Sequence, residues 1–260
     1  MKPNGFFILS GLLLCSISHS QQVFAHSHSL NAYQGPSLGV WGGGAITRSH
    51  INTDGGPLDP VNGLFPTDES LQALRNGSSP VFDSSLPIGG AQLAFNMRKC
   101  CFVYGAEFDF GSFNLNRSRN SVINSQDFGQ FSSETGVSTS WIGMARGRAG
   151  VIMGNNFMVY ATGGAAFTDL NVENEIIDEV CTASSKSSDT KAGWVVGGGI
   201  EVPFAPNWNV KAEYDYVDFG NADTSVIATA NGFSSPYTTS ANLRAHIARI
   251  GLNYNFCKRI

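Results

Sequence analysis

The sequence predicts an all-β protein, an eight-stranded antiparallel up-and-down transmembrane β-barrel over residues 37–256. Three observations carry that expectation. Eight segments alternate apolar and polar residues with period two, at lengths near the ~9 to 11 residues a tilted strand needs to cross a bilayer. The linkers between them alternate long and short, as they should when every second connection lies on the same side of a membrane. Beyond the first residues, no stretch approaches the ~18 uninterrupted apolar residues of a membrane helix, which leaves any crossing to strands.

Composition agrees with many strands and turns. Glycine supplies 30 of 260 residues, phenylalanine 18, and only 14% of the chain is charged, against a usual glycine share of ~7%. The balance of 20 acidic to 16 basic side chains argues against nucleic acid as a partner, since that would call for a basic patch.

Taken in order, residues 1–25 read as a secretory signal: Lys2 gives a positive start and residues 6–14 an apolar core too short to span a bilayer as a helix. Cleavage after Ala25 fits the small-residue rule through Val23-Phe24-Ala25, and Ser18-His19-Ser20 offers a second acceptable site. A lipid anchor on Cys15 fits less well, because Leu14 stands where a small residue normally precedes the cysteine. Residues 26–36 then form a short N-terminal periplasmic segment.

The strands are expected at residues 37–47, 89–97, 102–110, 138–151, 157–170, 191–203, 208–217 and 243–256. Two of them fix the logic. Phe102, Tyr104, Ala106, Phe108 and Phe110 share one face while Val103, Gly105, Glu107 and Asp109 share the other; Trp208, Val210, Ala212, Tyr214 and Tyr216 likewise stand opposite Asn209, Lys211, Glu213 and Asp215. The last strand sets Ile250, Leu252, Tyr254 and Phe256 against Arg249, Gly251 and Asn253. Connections at 48–88, 114–137, 171–190 and 220–242 are long and rich in turn residues, and those at 98–101, 152–156 and 204–207 are short. Residues 257–260 form a C-terminal extension.

With the greasy face toward lipid, the lumen receives Glu107, Asp109, Arg146, Arg148, Lys191, Glu201, Lys211, Glu213, Asp215 and Arg249, five acids and five bases. Eight strands enclose a space only just wide enough for side chains, so these charges are expected to plug the barrel as an ion-pair network. A wide diffusion pore is not expected; a narrow gated path is the alternative.

Several segments then resemble one family: Arg146-Gly147-Arg148-Ala149-Gly150, Tyr160-Ala161-Thr162-Gly163-Gly164, Lys191-Ala192-Gly193-Trp194, Lys211-Ala212-Glu213-Tyr214 and the closing Arg249-Ile250-Gly251-Leu252-Asn253-Tyr254-Asn255-Phe256. They are similar to the opacity-protein-like outer-membrane β-barrels, related in architecture to the OmpA and OmpX type. The resemblance implies a surface protein in the outer membrane of a Gram-negative bacterium, in contact with its lipid, whose loops meet host or environmental molecules; members act as adhesins, envelope stabilisers or haem binders. Such barrels usually end on the terminal aromatic, whereas Cys257-Lys258-Arg259-Ile260 follows Phe256 here.

Little in the chain points to catalysis. His50 with Asp54 or Asp59 is a conceivable loop pair, but no Ser-His-Asp set assembles, and the protein is expected not to be an enzyme. Cleavage after Ala25 would expose His26-Ser27-His28, whose amine, two amides and third-position imidazole suit Cu(II) or Ni(II). No other cofactor is expected, haem entering by family resemblance alone. Four cysteines survive processing in an oxidising compartment. Cys100, Cys101 and Cys257 fall at the periplasmic rim, where Cys257 could pair with either of the others or crosslink to another molecule; Cys181 sits in the third external loop, out of reach. The triplets Gly42-Gly43-Gly44 and Gly197-Gly198-Gly199 lack any phosphate-loop pattern and suggest close backbone approach.

These readings rank a surface structural or adhesive role first, ahead of a narrow porin-like channel and a haem-binding surface receptor. A lipocalin-like soluble carrier shares the strand count and offers Gly39-Val40-Trp41. It would leave the face made by Phe102, Tyr104, Phe108 and Phe110 in water as a very large apolar patch.

Overall fold

In the computed structural model, described for residues 33–55, 68–77, 79, 81–125, 129–154, 157–177, 182–230 and 233–257, eight strands close into one barrel. The strands are β1 (Gly35–Gly55), β2 (Val81–Lys99), β3 (Phe102–Ser125), β4 (Gly129–Met153), β5 (Phe157–Ile177), β6 (Thr182–Ala205), β7 (Trp208–Ala230) and β8 (Phe233–Asn255), with one helix, α1 (Asp68–Gly77), between β1 and β2. Each strand pairs antiparallel with its sequence neighbours, and β1 closes on β8 from Ser37 opposite Asn255 to Gly55 opposite Tyr237. Closure removes every free edge, as hydrocarbon demands, because lipid offers no partner to an unpaired backbone group.

The strands are 19 to 25 residues long, about twice what a membrane crossing requires. This corrects the expectation of long loops. Most of the stretches at 114–137, 171–190 and 220–242 belong to paired strands, and the 48–88 stretch holds the end of β1, α1 and the start of β2. Their Ser, Asn and Thr residues look like loop sequence, but pairing satisfies the backbone just as a turn would, and it lets alternate side chains share a core.

That core has two zones, because the meaning of inward and outward reverses along each strand. On the lower part of β3, Glu107 and Asp109 are buried inside while Phe108 and Phe110 are exposed outside; higher up, Phe113 and Leu115 are buried and Asn114 and Asn116 exposed. β8 repeats this, with Arg249 inside and Ile250 outside below, Leu243 inside and Arg244 outside above. A surface facing lipid must be apolar and one facing water must be polar, so the interior takes what the exterior cannot. The upper interior is an apolar cluster that includes Trp41, Phe113, Ile142, Leu170, Val217, Phe219, Leu243 and Ile247. Register shifts at Ser112/Leu115, Ser138/Ile142 and Asp218/Asn221 fall near the reversal, where bulges re-aim strands leaving one environment for another.

At the short-turn end, Cys100 (φ 58°) and Asn207 (φ 66°) take left-handed backbone conformations in the β2–β3 and β6–β7 turns. Two glycines of inward parity permit close strand approach: a Cβ on Gly43 would lie 2.1 Å from the Ala248 carbonyl oxygen, and one on Gly199 would lie 2.2 Å from that of Ala212. Within the two triplets, close backbone approach is therefore found at Gly43, Gly197 and Gly199, whereas a Cβ on Gly42 or Gly44 would meet nothing nearer than 3.8 Å.

Candidate functional site

The polar lower interior is the candidate site. Arg146 on β4 is its hub. Nη1 donates to Glu213 at 2.7 Å, to Asp215 at 2.8 Å and to the Thr162 hydroxyl at 3.3 Å, while Nη2 donates to Asp109 at 2.8 Å and to Glu107. Arg249 on β8 donates through Nη1 to Asp109 at 2.8 Å and through Nε to Glu213 at 3.0 Å, and a second contact joins its Nη2 to Glu213. Lys211 Nζ reaches Glu107 at 2.7 Å and Glu213 at 3.4 Å.

A second tier lies around Arg148. Its Nη2 donates to Glu201 at 2.6 Å, its Nη1 reaches Glu107 at 3.5 Å, and its guanidinium stacks 4.0 Å above the Tyr160 ring. Tyr160 in turn donates its hydroxyl to Glu213 at 2.6 Å, and Asn209 donates to Glu201 at 2.9 Å.

All of these charged side chains are buried: Glu107, Asp109, Glu201, Glu213 and Asp215 against Arg146, Arg148, Lys211 and Arg249. Alternation in β3, β4, β6, β7 and β8 points them inward, and the small diameter of an eight-stranded barrel brings opposite walls into contact. Burial at this depth is tolerable only with near-complete pairing, since one uncompensated ion costs several kcal/mol.

Lys191 does not join them. It lies inward on β6 but above Val195, 24% exposed, 3.8 Å from Asp189. Its parity matches the cluster and its height does not: Val195 and Val217, both in the apolar zone, separate the two levels.

Sequence reasoning missed the uncharged partners. Trp41 is buried inside, donates its indole N–H to the Ala91 carbonyl at 3.2 Å and lies 4.9 Å from the Arg249 guanidinium. Tyr33 belongs to the segment expected to be a short periplasmic lead-in; its ring is buried with Val103, Met158 and Tyr160, and its hydroxyl donates to the Glu201 carbonyl at 2.9 Å. The signal available was that both tyrosines and Trp41 share the inward parity of their strands or entry segment.

A model of the outer membrane protein beta-barrel domain matches residues 10–256 of this sequence. The chain belongs to this family. Among the barrel's curated relatives, the 31 kDa outer-membrane immunogenic protein of Brucella melitensis biotype 1 is 32% identical over 172 residues, covering 65% of this chain and 66% of that protein. The 22 kDa outer membrane protein of Rhizobium leguminosarum bv. viciae is 31% identical over 129 residues, 50% of this chain and 51% of its own length. The solved structure of outer membrane protease OmpT from Escherichia coli aligns with 86% of this chain and 97% of its own at 12% identity and a TM-score of 0.46. This is an outer-membrane protein of a Gram-negative bacterium.

The outer wall of this outer-membrane barrel is apolar, with Leu38, Phe95, Phe108, Val196 and Ile250 among its exposed residues. Tyr216 stands 5.3 Å from Trp194 and 5.0 Å from His246, and the Tyr214 hydroxyl lies 2.6 Å from His246 Nδ1. His50 is exposed on β1, and Asp54 is engaged by Arg75 of α1 at 2.7 Å. The expected pairing of Cys257 is absent: Cys100, Cys101 and Cys257 all carry free thiols, Cys100 exposed on its turn. His26, His28, Asp59 and Cys181, like the expected leader, lie outside the described residues.

Proposed function

We propose that the chain is a closed outer-membrane barrel that carries long paired hairpins at the cell surface, with a structural and adhesive role exercised through them and with membrane lipid as its standing partner. The observation that carries this reading is strand length: strands of 19 to 25 residues leave roughly half of each beyond a bilayer crossing. That outer half has its own apolar core, which makes it a rigid platform and not a set of loose tethers. Nothing in this role calls for catalysis.

The ion-pair cluster supports a plugged lumen. Its arginines reach across the interior with their guanidiniums fully buried, leaving the cross-section at that level filled with side chains. In this reading residues 1–25 are a cleaved leader, 26–36 lead into the barrel mouth and 257–260 trail from its last strand.

The test compares cells displaying the intact barrel with cells displaying a version whose hairpins are cut back to the apolar belt and closed by short turns. Attachment to immobilised host matrix and to host cells should fall with the trimmed barrel at equal surface levels. Equal attachment would overturn the adhesive role. Planar-bilayer recordings test the plug: the intact barrel should show no steady conductance, and an open channel would overturn closure.

A further inference from the structure

Four outward-facing charged side chains form one row across four adjacent strands. Asp83 on β2, Arg48 on β1, Arg244 on β8 and Asp218 on β7 are successive cross-strand partners. Arg48 donates from Nε to Asp83 Oδ1 at 2.8 Å and from Nη2 to Oδ2 at 3.3 Å; Arg244 donates from Nε to Asp218 Oδ2 at 3.0 Å. The aspartates therefore hold the two guanidiniums from the outer ends of the row. Among the described residues, Nη1 of Arg48 and both Nη groups of Arg244 have no hydrogen-bond partner. The arginine side chains are 62% and 52% exposed.

The order of these charges is informative. An alternating row would neutralise itself at every step, whereas this one puts two cations directly opposite each other at its centre, an arrangement that destabilises a strand pair. Directly opposed residues have Cβ atoms about 5 Å apart, close enough for both guanidiniums to address a single tetrahedral anion. Arginine suits phosphate in particular, because its planar fork donates two parallel hydrogen bonds.

Height selects the source of that phosphate. Immediately below the row lie Ile46, His246 and Tyr216, themselves cross-strand partners, with Trp194 packed on Tyr216, and tyrosine and tryptophan mark the membrane boundary. From Phe256 up to Arg244 the strand climbs about 30 Å at ~3.4 Å per residue and ~40° tilt, just past the ~25 Å apolar band of such barrels. The guanidiniums thus stand where outer-leaflet headgroups stand.

We propose that Arg48 and Arg244 form a binding site for the phosphate of an outer-leaflet lipid, the anion seated between the two guanidiniums and Asp83 and Asp218 fixing their orientation. The site depends on the barrel's place in the membrane and not on its adhesive role. A free phosphate offers the same chemistry, so the test separates the two sources.

The mature full-length barrel, folded in neutral detergent, is titrated with bisphosphorylated lipid A, with dephosphorylated lipid A and with inorganic phosphate, alongside an Arg48→Gln/Arg244→Gln variant. Heat-dependent gel mobility verifies folding. Lipid A should bind the wild type about tenfold more tightly than it binds the double variant, and about tenfold more tightly than its dephosphorylated form does, the scale of one or two charge-assisted hydrogen bonds. Should the double variant not fold, the two single Arg→Gln variants are each expected to bind more weakly than wild type. Binding unchanged by these substitutions or by loss of the lipid phosphates would overturn the site. Inorganic phosphate binding as tightly as lipid A would overturn its assignment to lipid.

Discussion

Lys211 Nζ lies 2.7 Å from Glu107 Oε1, although β7 and β3 stand four strands apart on either side of an eight-stranded circuit. The contact crosses the full width of the lumen. Replacing Lys211 with Met should therefore leave Glu107 and Glu213 short of a cation at a buried site, at a cost of about 3–5 kcal/mol. Urea unfolding followed by tryptophan fluorescence would measure it. A loss under about 1 kcal/mol, the range of an exposed pair, would mean that water reaches the cluster.

Arg146 touches four carboxylates at once, so its removal should do more than weaken the fold. Arg146→Ser takes away the cation that contacts four of the buried carboxylates and leaves mutually repelling acids around the gap. A cation-selective conductance absent from the wild type is the expected result in planar bilayers. A silent variant that still shows heat-dependent gel mobility would indicate closure at another level, the apolar zone above being the obvious one.

Much of this arrangement was legible in the chain because the strand period is two and one face had to be greasy. Alternation alone sent Glu107, Asp109, Lys211, Glu213 and Asp215 to a common interior, since a polar residue between lipid-facing ones has nowhere else to go. What was not legible is the upper half. Phe113, Leu115 and Leu243 point inward with the parity of the charges below them, so the polarity pattern reverses while the geometry continues. A reading that follows hydrophobicity and not parity ends each strand at that reversal and takes the Ser- and Asn-rich remainder for loops. Height was equally hidden: Lys191 had the right parity, but only tilt and register reveal that it stands above Val195.

The closing glycines make a sharp contrast between neighbours. A Cβ on Gly43 meets backbone at 2.1 Å, whereas one on Gly42 finds its nearest atom at 3.8 Å. Gly43→Ala should destabilise the barrel by about 1–3 kcal/mol, the usual cost of overpacking, with Gly42→Ala close to neutral. Equal midpoints in urea would show that β1 and β8 can part without penalty.

The rim pair Arg48–Asp83 offers a titration above the apolar band, in contact with water. The hydrogen bond from Arg48 is the main influence holding the Asp83 carboxyl below its ordinary value, which is about 3.9. Because the folded value is the lower one, the pair supports the folded state above the unfolded value and loses that support as pH falls through the folded value. Carboxyl carbon shifts of Asp83 should therefore titrate below about pH 3.9 in the wild type and return to the ordinary range in Arg48→Gln. Both residues are well exposed, so added salt should narrow the difference between the two proteins. An identical titration in wild type and variant would mean that the guanidinium spends its time elsewhere, and the orientation that Asp83 gives to Arg48 would go with it.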